Sequence, residues 1–375
     1  MAPAARRTGA FSPTMRILFV ARRYPPSLGG LQTHAFKLYT YLSQRLPVIR
    51  VTLGRDSVLH LAWFLPWAWL RAALALLARR VDLVYFGDGV AASLAWTLAP
   101  LRGRARFCCT LNGLEMTFPN RWARALMRAG TLRCHGIAVY SRNSGRIAAE
   151  AWGAPPKRMR LIHLGAEPVE PPPERDEELR RGFEAEHGVA FGRDRLLLNV
   201  GRMVPRKGLA RFVEHGMPLL GADVRLLVVG DGPDAGLVRE ARERLEDPGR
   251  VLLLGVLDDD TCSMLRRHCD LFLMPNVATE GDVEGFGIAP LEAMYFGTPV
   301  VAFAVDALVE AVREGGWLAP AGDYPAFAAA VQAFYDLTPE ERRTAGEEAR
   351  RYCRREYTWD TASSRYLEFF KELRS

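Results

Sequence analysis

Residues 270–292 read DLFLMPNVATEGDVEGFGIAPLE, and the fold follows from how they are parsed. LFLM is a short apolar run with the length of a buried strand. A polar loop follows it. Pro290 suits a helix first turn, which starts a helix near Ile288. Gly285 and Gly287 let the backbone turn tightly and approach a ligand. The free N–H groups and positive dipole end of such a helix would face an anion such as a diphosphate. Glu284 lies in the loop and Glu292 one turn inside the helix. A carboxylate accepts paired hydrogen bonds from vicinal hydroxyls, which sugars and ribose offer. Two acids at this spacing also arise on a plain solvated surface, so the rest of the chain has to choose.

The same strand–loop–helix rhythm runs outward in both directions. In the first half, MRILFVARRYPP (15–26), PVIRVTLG (47–54), DLVYFGD (82–88), RFCCTLNG (106–113), GIAVYS (136–141) and RMRLIHLG (158–165) read as strands, and 31–45 reads as a helix. In the second half, RLLLNVGR (195–202), DVRLLVVGDG (223–232), RVLLLGVL (250–257), DLFLMP (270–275) and TPVVAF (298–303) do the same. Strands alternating with helices imply parallel sheets covered on both faces. Two such series imply an α/β protein of two doubly wound, Rossmann-like domains facing a central cleft, because ligands of open sheets sit beyond the carboxyl ends of strands. EPVEPPPERDEELR (167–180), with many charges and several prolines, marks the joint. The expected organisation is a disordered basic arm at 1–14 that is no signal peptide, a Rossmann-like domain at 15–165, a Pro-rich linker at 166–180, a second Rossmann-like domain at 181–356, and a C-terminal segment at 357–375.

Charge divides the chain at the same place. Residues 1–165 hold 24 Lys and Arg against 5 Asp and Glu, whereas 166–375 hold 26 against 38. The first half should therefore seek an anionic surface: membrane, nucleic acid or an anionic substrate. Nucleic acid is the weaker choice, for no zinc-finger, RNP or basic-zipper pattern appears. The six cysteines have no CxxC or metal-finger spacing and read as reduced thiols of a cytoplasmic protein. VLHLAWFLPWAWLRAALALLA (58–78) is nearly all apolar. His60, Pro66 and Arg71 interrupt it, and it falls between two strands of one sheet, which argues against a span. A core helix and a helix dipping into a membrane interface remain as its readings.

Two further loops carry polar chemistry. GRMVPRKG (201–208) follows a strand, so Arg202 and Lys207 project at its carboxyl end, where paired cations would clamp a diphosphate and stabilise it as it leaves. A basic surface loop is the plainer reading. The chain has only 4 lysines, Lys37, Lys157, Lys207 and Lys371, so an ammonium rather than a guanidinium at 207 is informative. RYPPSLGGLQTH (23–34) puts Gly29 and Gly30 before a helix, where backbone N–H groups would meet a phosphate.

Taken in order, the GG loop, GRMVPRKG and EGFGIAPLEA resemble the retaining glycosyltransferases of family 4, which have the GT-B fold. The resemblance runs from Arg16 to YTWDTASSRYLEFF (357–370), and it implies that 15–165 binds the acceptor, that 181–356 binds the nucleotide sugar, and that a C-terminal helix at 357–375 crosses back to the first domain. It implies that Glu292 binds the nucleotide ribose, Glu284 the donor-sugar hydroxyls, and Arg202 and Lys207 the diphosphate. It further implies that backbone amides at Phe286, Gly287 and Ile288 hold sugar and phosphate, that Gly29 and Gly30 line the acceptor side near the phosphates, and that no metal or other cofactor is needed. Two departures stand out. The family's histidine in its HG-x-[DE] turn is Asn112 here, in NGLE (112–115); Asn can donate a hydrogen bond to a sugar hydroxyl but cannot titrate, so a base role is excluded and a positioning role kept. The family's GG-x-P-E turn is AVDALVEAV (304–312), which keeps Glu310 and lacks the glycines. Asp282 reads as a solvated loop acid.

The expected function is a retaining, metal-independent hexosyltransferase that uses GDP-mannose or a UDP-hexose. Its acceptor would be a lipid-linked glycan or a saccharide in cell-envelope polysaccharide synthesis. It would work in the cytoplasm, peripherally at the inner membrane face, with an anionic membrane surface and no nucleic acid as partner. The competing reading is a non-catalytic GT-B partner of another glycosyltransferase, for which Asn112 is the only support.

Overall fold

The computed structural model describes residues 15–374 apart from Leu28, Gly29, Asp56, Ser57, Leu114, Thr117, Glu280, Gly281, Val283 and Glu284, together with the side chain of Val58. The arm expected at 1–14 lies outside the described residues. The chain forms two compact units. The first comprises Met1–Tyr140, Ser144–Ile162 and Ala362–Ser375, and the second Ser141–Asn143 and His163–Thr361.

Unit 1 is a parallel six-stranded sheet, ordered β2-β1-β3-β4-β5-β6. Its strands are β1 (Ile17–Ala21), β2 (Val48–Thr52), β3 (Leu83–Phe86), β4 (Arg106–Leu111), β5 (Gly136–Val139) and β6 (Met159–Leu161). Every residue of β1, β3 and β5 is buried, as expected of strands covered on both faces. The crossovers are α1 (Gly30–Ser43), α2 (Val58–Leu77), α3 (Gly89–Ala92), α4 (Leu94–Leu98), α5 (Arg121–Thr131) and α6 (Arg142–Trp152). Helix α2 is the apolar segment singled out above. Phe64, Ala68, Ala72, Ala73 and Leu76 enter the unit's core, and Trp69 donates its Nε1–H to Thr97 Oγ1 at 3.0 Å. Its opposite side is exposed. The helix ends in a Schellman motif: Arg80 N–H bonds the Ala75 carbonyl and Arg79 N–H that of Leu76. Arg79 takes the left-handed position at φ 51°, where glycine is usual and a side chain costs about 1–2 kcal/mol.

His34 on α1 is buried, and burial lowers its imidazole from 6.5 to about 3. Below pH 6.5 the unfolded chain takes up a proton that the folded unit refuses. The His34 contribution is therefore whole above that pH and is lost as pH falls towards 3. The loss should reach about 2 kcal/mol at pH 5. We expect the melting temperature of wild type to fall more steeply between pH 7 and 5 than that of His34→Gln. Parallel slopes in scanning calorimetry would contradict this assignment.

Unit 2 is a second parallel sheet, ordered β12-β11-β10-β7-β8-β9. Its strands are β7 (Arg195–Val200), β8 (Val224–Val229), β9 (Val251–Leu253), β10 (Leu271–Met274), β11 (Val300–Phe303) and β12 (Gly316–Ala319). The helices are α7 (Pro173–His187), α8 (Leu209–His215), α9 (Ala235–Glu243), α10 (Asp259–His268), α11 (Ile288–Phe296), α12 (Leu308–Ala311), α13 (Tyr324–Asp336) and α14 (Pro339–Glu356). The final helix, α15 (Trp359–Arg374), belongs to unit 1 from Ala362 onward. There Tyr366 Oη, Thr110 Oγ1 and Tyr85 Oη form a buried hydrogen-bonded chain of 3.0 and 2.6 Å.

The segment expected as a linker to residue 180 turns helical at Pro173. Proline is tolerated in a helix first turn, and Glu174 and Asp176 there complement the dipole, so the charge-rich half of the segment folds as α7.

Candidate active site

In unit 2 the strand order reverses between β10 and β7, so their two outgoing loops are neighbours at the carboxyl edge. These loops are the two motifs found in the sequence. After β7, Gly201 leads into Arg202, which is exposed, and the chain turns through a 3₁₀ segment, Pro205–Lys207. Lys207 is half-buried there. Gly208 closes the turn at φ 63° and starts α8. The loops are joined directly. Val277 N–H bonds the Arg206 carbonyl at 2.9 Å, and Arg206 Nη1 meets Asp282 Oδ2 at 3.1 Å. Asp282 is thus a half-buried bridging acid rather than the solvated one expected, because strand order brings a guanidinium to it.

Helix α11 starts at Ile288, as Pro290 suggested. Gly287 stands at its N-terminus with φ 80°, a conformation open to glycine. First-turn N–H groups have no intrahelical acceptor, and a helix start of this kind suits an anion. The Phe286 side chain is buried and stacks on His163 with ring centroids 5.0 Å apart. Phe286 therefore fixes the loop through its ring. Glu284 lies outside the described residues.

Glu292, expected to meet ribose, is held at 2.6 Å by Arg266 Nη2 of α10 through its Oε2. Arg266 is buried. The sequence reading missed it, and no local signal marks it, since its partner lies on the next helix but one strand away. The pair fixes Glu292 through its Oε2. A cavity of about 290 Å³ opens at the carboxyl ends of β7–β9, lined among others by Met203, Gly230, Asp231 and Val256. Glu310 is committed elsewhere. Its Oε1 accepts the Arg142 N–H at 2.7 Å, and its Oε2 lies 3.8 Å from His163 Nε2. Burial alone would raise the Glu310 carboxyl; His163 and the Arg142 N–H outweigh it and lower it.

Unit 1 contributes the sites around Gly30 and Asn112. Gly30 is the first residue of α1 and is exposed; Gly29 lies outside the described residues. Asn112 follows β4 and is buried. Its Nδ2 donates to Glu115 Oε1 at 2.9 Å, while its backbone N–H donates to Glu115 Oε2 at 3.0 Å. One of the two amide N–H groups expected to face a sugar is therefore engaged. Asn112 Oδ1 has no protein partner among the described residues. Asn112 thus offers this acceptor as well as its remaining amide N–H. It lines a small pocket with Asp88 and Tyr140, whose hydroxyl is also without a protein partner. Glu115 is raised by burial and by Asp88, against the pull of the N–H groups of Gly89 and Asn112. Asp88 in turn caps α3 and pairs with Arg22 Nε at 2.9 Å.

Comparison with known proteins assigns each unit. Residues 28–169 match the family model described as Glycosyltransferase Family 4, and 194–336 that described as Glycosyl transferases group 1. The chain is 35% identical over 175 residues to a phosphatidyl-myo-inositol mannosyltransferase of Mycobacterium leprae, covering 45% of this chain and 44% of that protein. It is 25% identical over 266 residues to the putative colanic acid biosynthesis glycosyltransferase WcaL of Salmonella typhimurium, covering 68% and 61%. The matches thus span about half the length of these relatives. Among solved structures, Anabaena Alr3699/HepE in complex with UDP superposes with a TM-score of 0.75 at 19% identity, covering 96% of this chain and all of that one. The apo lipopolysaccharide outer core galactosyltransferase WaaB gives 0.66 at 15%, covering 96% and 99%. With a glycosyltransferase model on each unit, glycosyltransferase relatives, and paired open sheets like those of these structures, the chain belongs to the family 4 glycosyltransferases of the GT-B fold.

Proposed function

We propose that the protein is a retaining, metal-independent hexosyltransferase. It moves a hexose from a nucleoside diphosphate sugar to a lipid-linked or saccharide acceptor in cell-envelope polysaccharide or glycolipid synthesis, on the cytoplasmic side of the membrane. The observation that carries this reading is the joining of the Arg202–Lys207 loop to the loop before α11 through Arg206 and Asp282. Two cations and a helix N-terminus at one sheet edge suit a diphosphate.

In the proposed step the bond from the anomeric carbon to the diphosphate oxygen breaks and a bond to the acceptor oxygen forms on the same face. The acceptor proton passes to the departing diphosphate. Arg202 and Lys207 stabilise the charge that develops on that group. Arg266 steers Glu292 towards the ribose hydroxyls, and Glu284 takes those of the sugar. Asn112 Oδ1 accepts a hydrogen bond from a hydroxyl and orients that group without titrating. The complexes of Alr3699/HepE with UDP and UDP-glucose support a nucleotide-sugar donor. The six cysteines, all unpaired and buried, suit a reducing compartment.

The test is a thermal-shift panel with GDP, UDP, ADP and dTDP, each with EDTA. A ligand that binds the folded state raises the melting temperature, by about 2.7 kcal/mol of stability at a hundredfold excess over Kd. One diphosphate should shift the protein with EDTA present, and that nucleotide names the donor. Absence of a shift with all four removes the donor reading.

A further inference from the structure

The exposed side of α2 carries an apolar stripe, with the exposed Arg71 beside it. Leu59, Trp63, Trp67, Leu70, Leu74 and Leu77 recur at spacings of three and four and are each 40–82% exposed. That periodicity places them on one helix face. The helix has 20 residues and no Asp or Glu. At its carboxyl end the stripe runs into a pocket of about 790 Å³ that Leu77 also lines. The pocket opens at the amino ends of β1, β3 and β4, the opposite edge of the sheet from Asn112 and Asp88. Five arginines line it: Arg16, Arg79, Arg102, Arg104 and Arg374. The one carboxylate lining it, Asp82, is already paired with Arg16 at 3.4 Å. Arg79 is held at the left-handed position that closes α2, so its side chain is set at the junction of stripe and pocket.

We propose that this face of unit 1 is a docking surface for an anionic lipid bilayer, with the α2 stripe lying in the interface and the arginine pocket holding lipid phosphate. Two features together specify the occupant. Leucines and tryptophans on one side of a helix suit the boundary between headgroups and acyl chains. Arginines beside them match the charge of anionic headgroups, and guanidinium pairs well with phosphate. A second copy fits poorly. In a two-fold pairing a patch meets itself, which would set arginine against arginine. The site goes beyond the transfer reaction and uses none of its residues. It is read by lipid binding alone, so it stands or falls apart from the donor assignment.

Flotation of the full chain with vesicles tests it. The chain should float with phosphatidylcholine vesicles containing phosphatidylglycerol, and far less with phosphatidylcholine alone. Binding should weaken as salt is raised. Arg79→Glu combined with Arg104→Glu should weaken binding about tenfold or more, since each basic group near an anionic surface contributes appreciably. Trp63→Ser combined with Leu74→Ser should remove it. All four side chains are exposed, so melting curves should match wild type. A melting temperature that falls in one pair leaves the other to decide. Equal flotation with both vesicle types, or wild-type flotation by the arginine pair, overturns the headgroup pocket. No flotation at all overturns the proposal. Sedimentation equilibrium showing a dimer that Trp63→Ser/Leu74→Ser dissolves overturns it in favour of a self-interface.

Discussion

Lys207→Ala is expected to lower kcat by about 10²–10³ while leaving the melting temperature of unit 2 close to that of wild type. The magnitude is that of removing one preorganised donor from a developing anion. The fold should survive because Lys207 is only half-buried in a 3₁₀ turn whose backbone bond, Lys207 N–H to the Val204 carbonyl at 2.9 Å, does not involve the side chain. Lys207→Arg should restore little, for a planar fork does not place charge as a compact ammonium does. Initial rates with the donor named by the nucleotide panel, beside a melting curve, measure both quantities. A kcat within threefold of wild type would remove Lys207 from the diphosphate clamp. A collapsed melting curve would instead make the residue structural.

The second large effect concerns the neighbouring glycine. Gly208→Ala should destabilise unit 2 by roughly 2–5 kcal/mol, combining the cost of a side chain in the left-handed region with that of overpacking. A Cβ at Gly208 would stand 2.1 Å from the Pro275 carbonyl oxygen and 3.1 Å from Val277 Cγ1. Pro275 is backbone at the end of β10, so no side chain can swing aside. The loops after β7 and β10 would have to part, and with them the cation and helix-end groups that they bring together. Activity should therefore fall with stability. Gly182 is the control. It lies inside α7 with nothing within 4 Å of its Cβ position, so Gly182→Ala should gain up to about 1 kcal/mol. Calorimetry of the two variants decides the matter. Equal melting temperatures would mean that the Gly208 backbone can relax.

Much of this architecture is legible before any coordinates. The apolar runs at 195–202 and 270–275 became β7 and β10, and Pro290 with Gly287 placed the start of α11 at Ile288. These succeed because strand and helix signals are local: period, breaker and cap lie within one segment. The segment at 167–180 turns helical at Pro173, a point hard to read from sequence because proline both interrupts a chain and opens a helix, and only the following acids separate the two uses.

The amino-acid sequence alone determined the two α/β series, the order of the motifs, the family they resemble and the charge divide between the halves. Tertiary structure decided the partners. Arg266 on Glu292, Asp282 on Arg206, and the engagement of Asn112 by Glu115 are side-chain choices. The first two depend on the packing of α10 against α11 and on β7 lying beside β10, contacts that no local pattern encodes. The same holds for α2. A helix that is apolar nearly all round carries little pattern saying which face is buried. Only its seat over the sheet showed that Phe64 and Ala68 go inward and Trp63 and Leu74 outward, and only the tertiary fold gathered five arginines from four parts of the chain at its end.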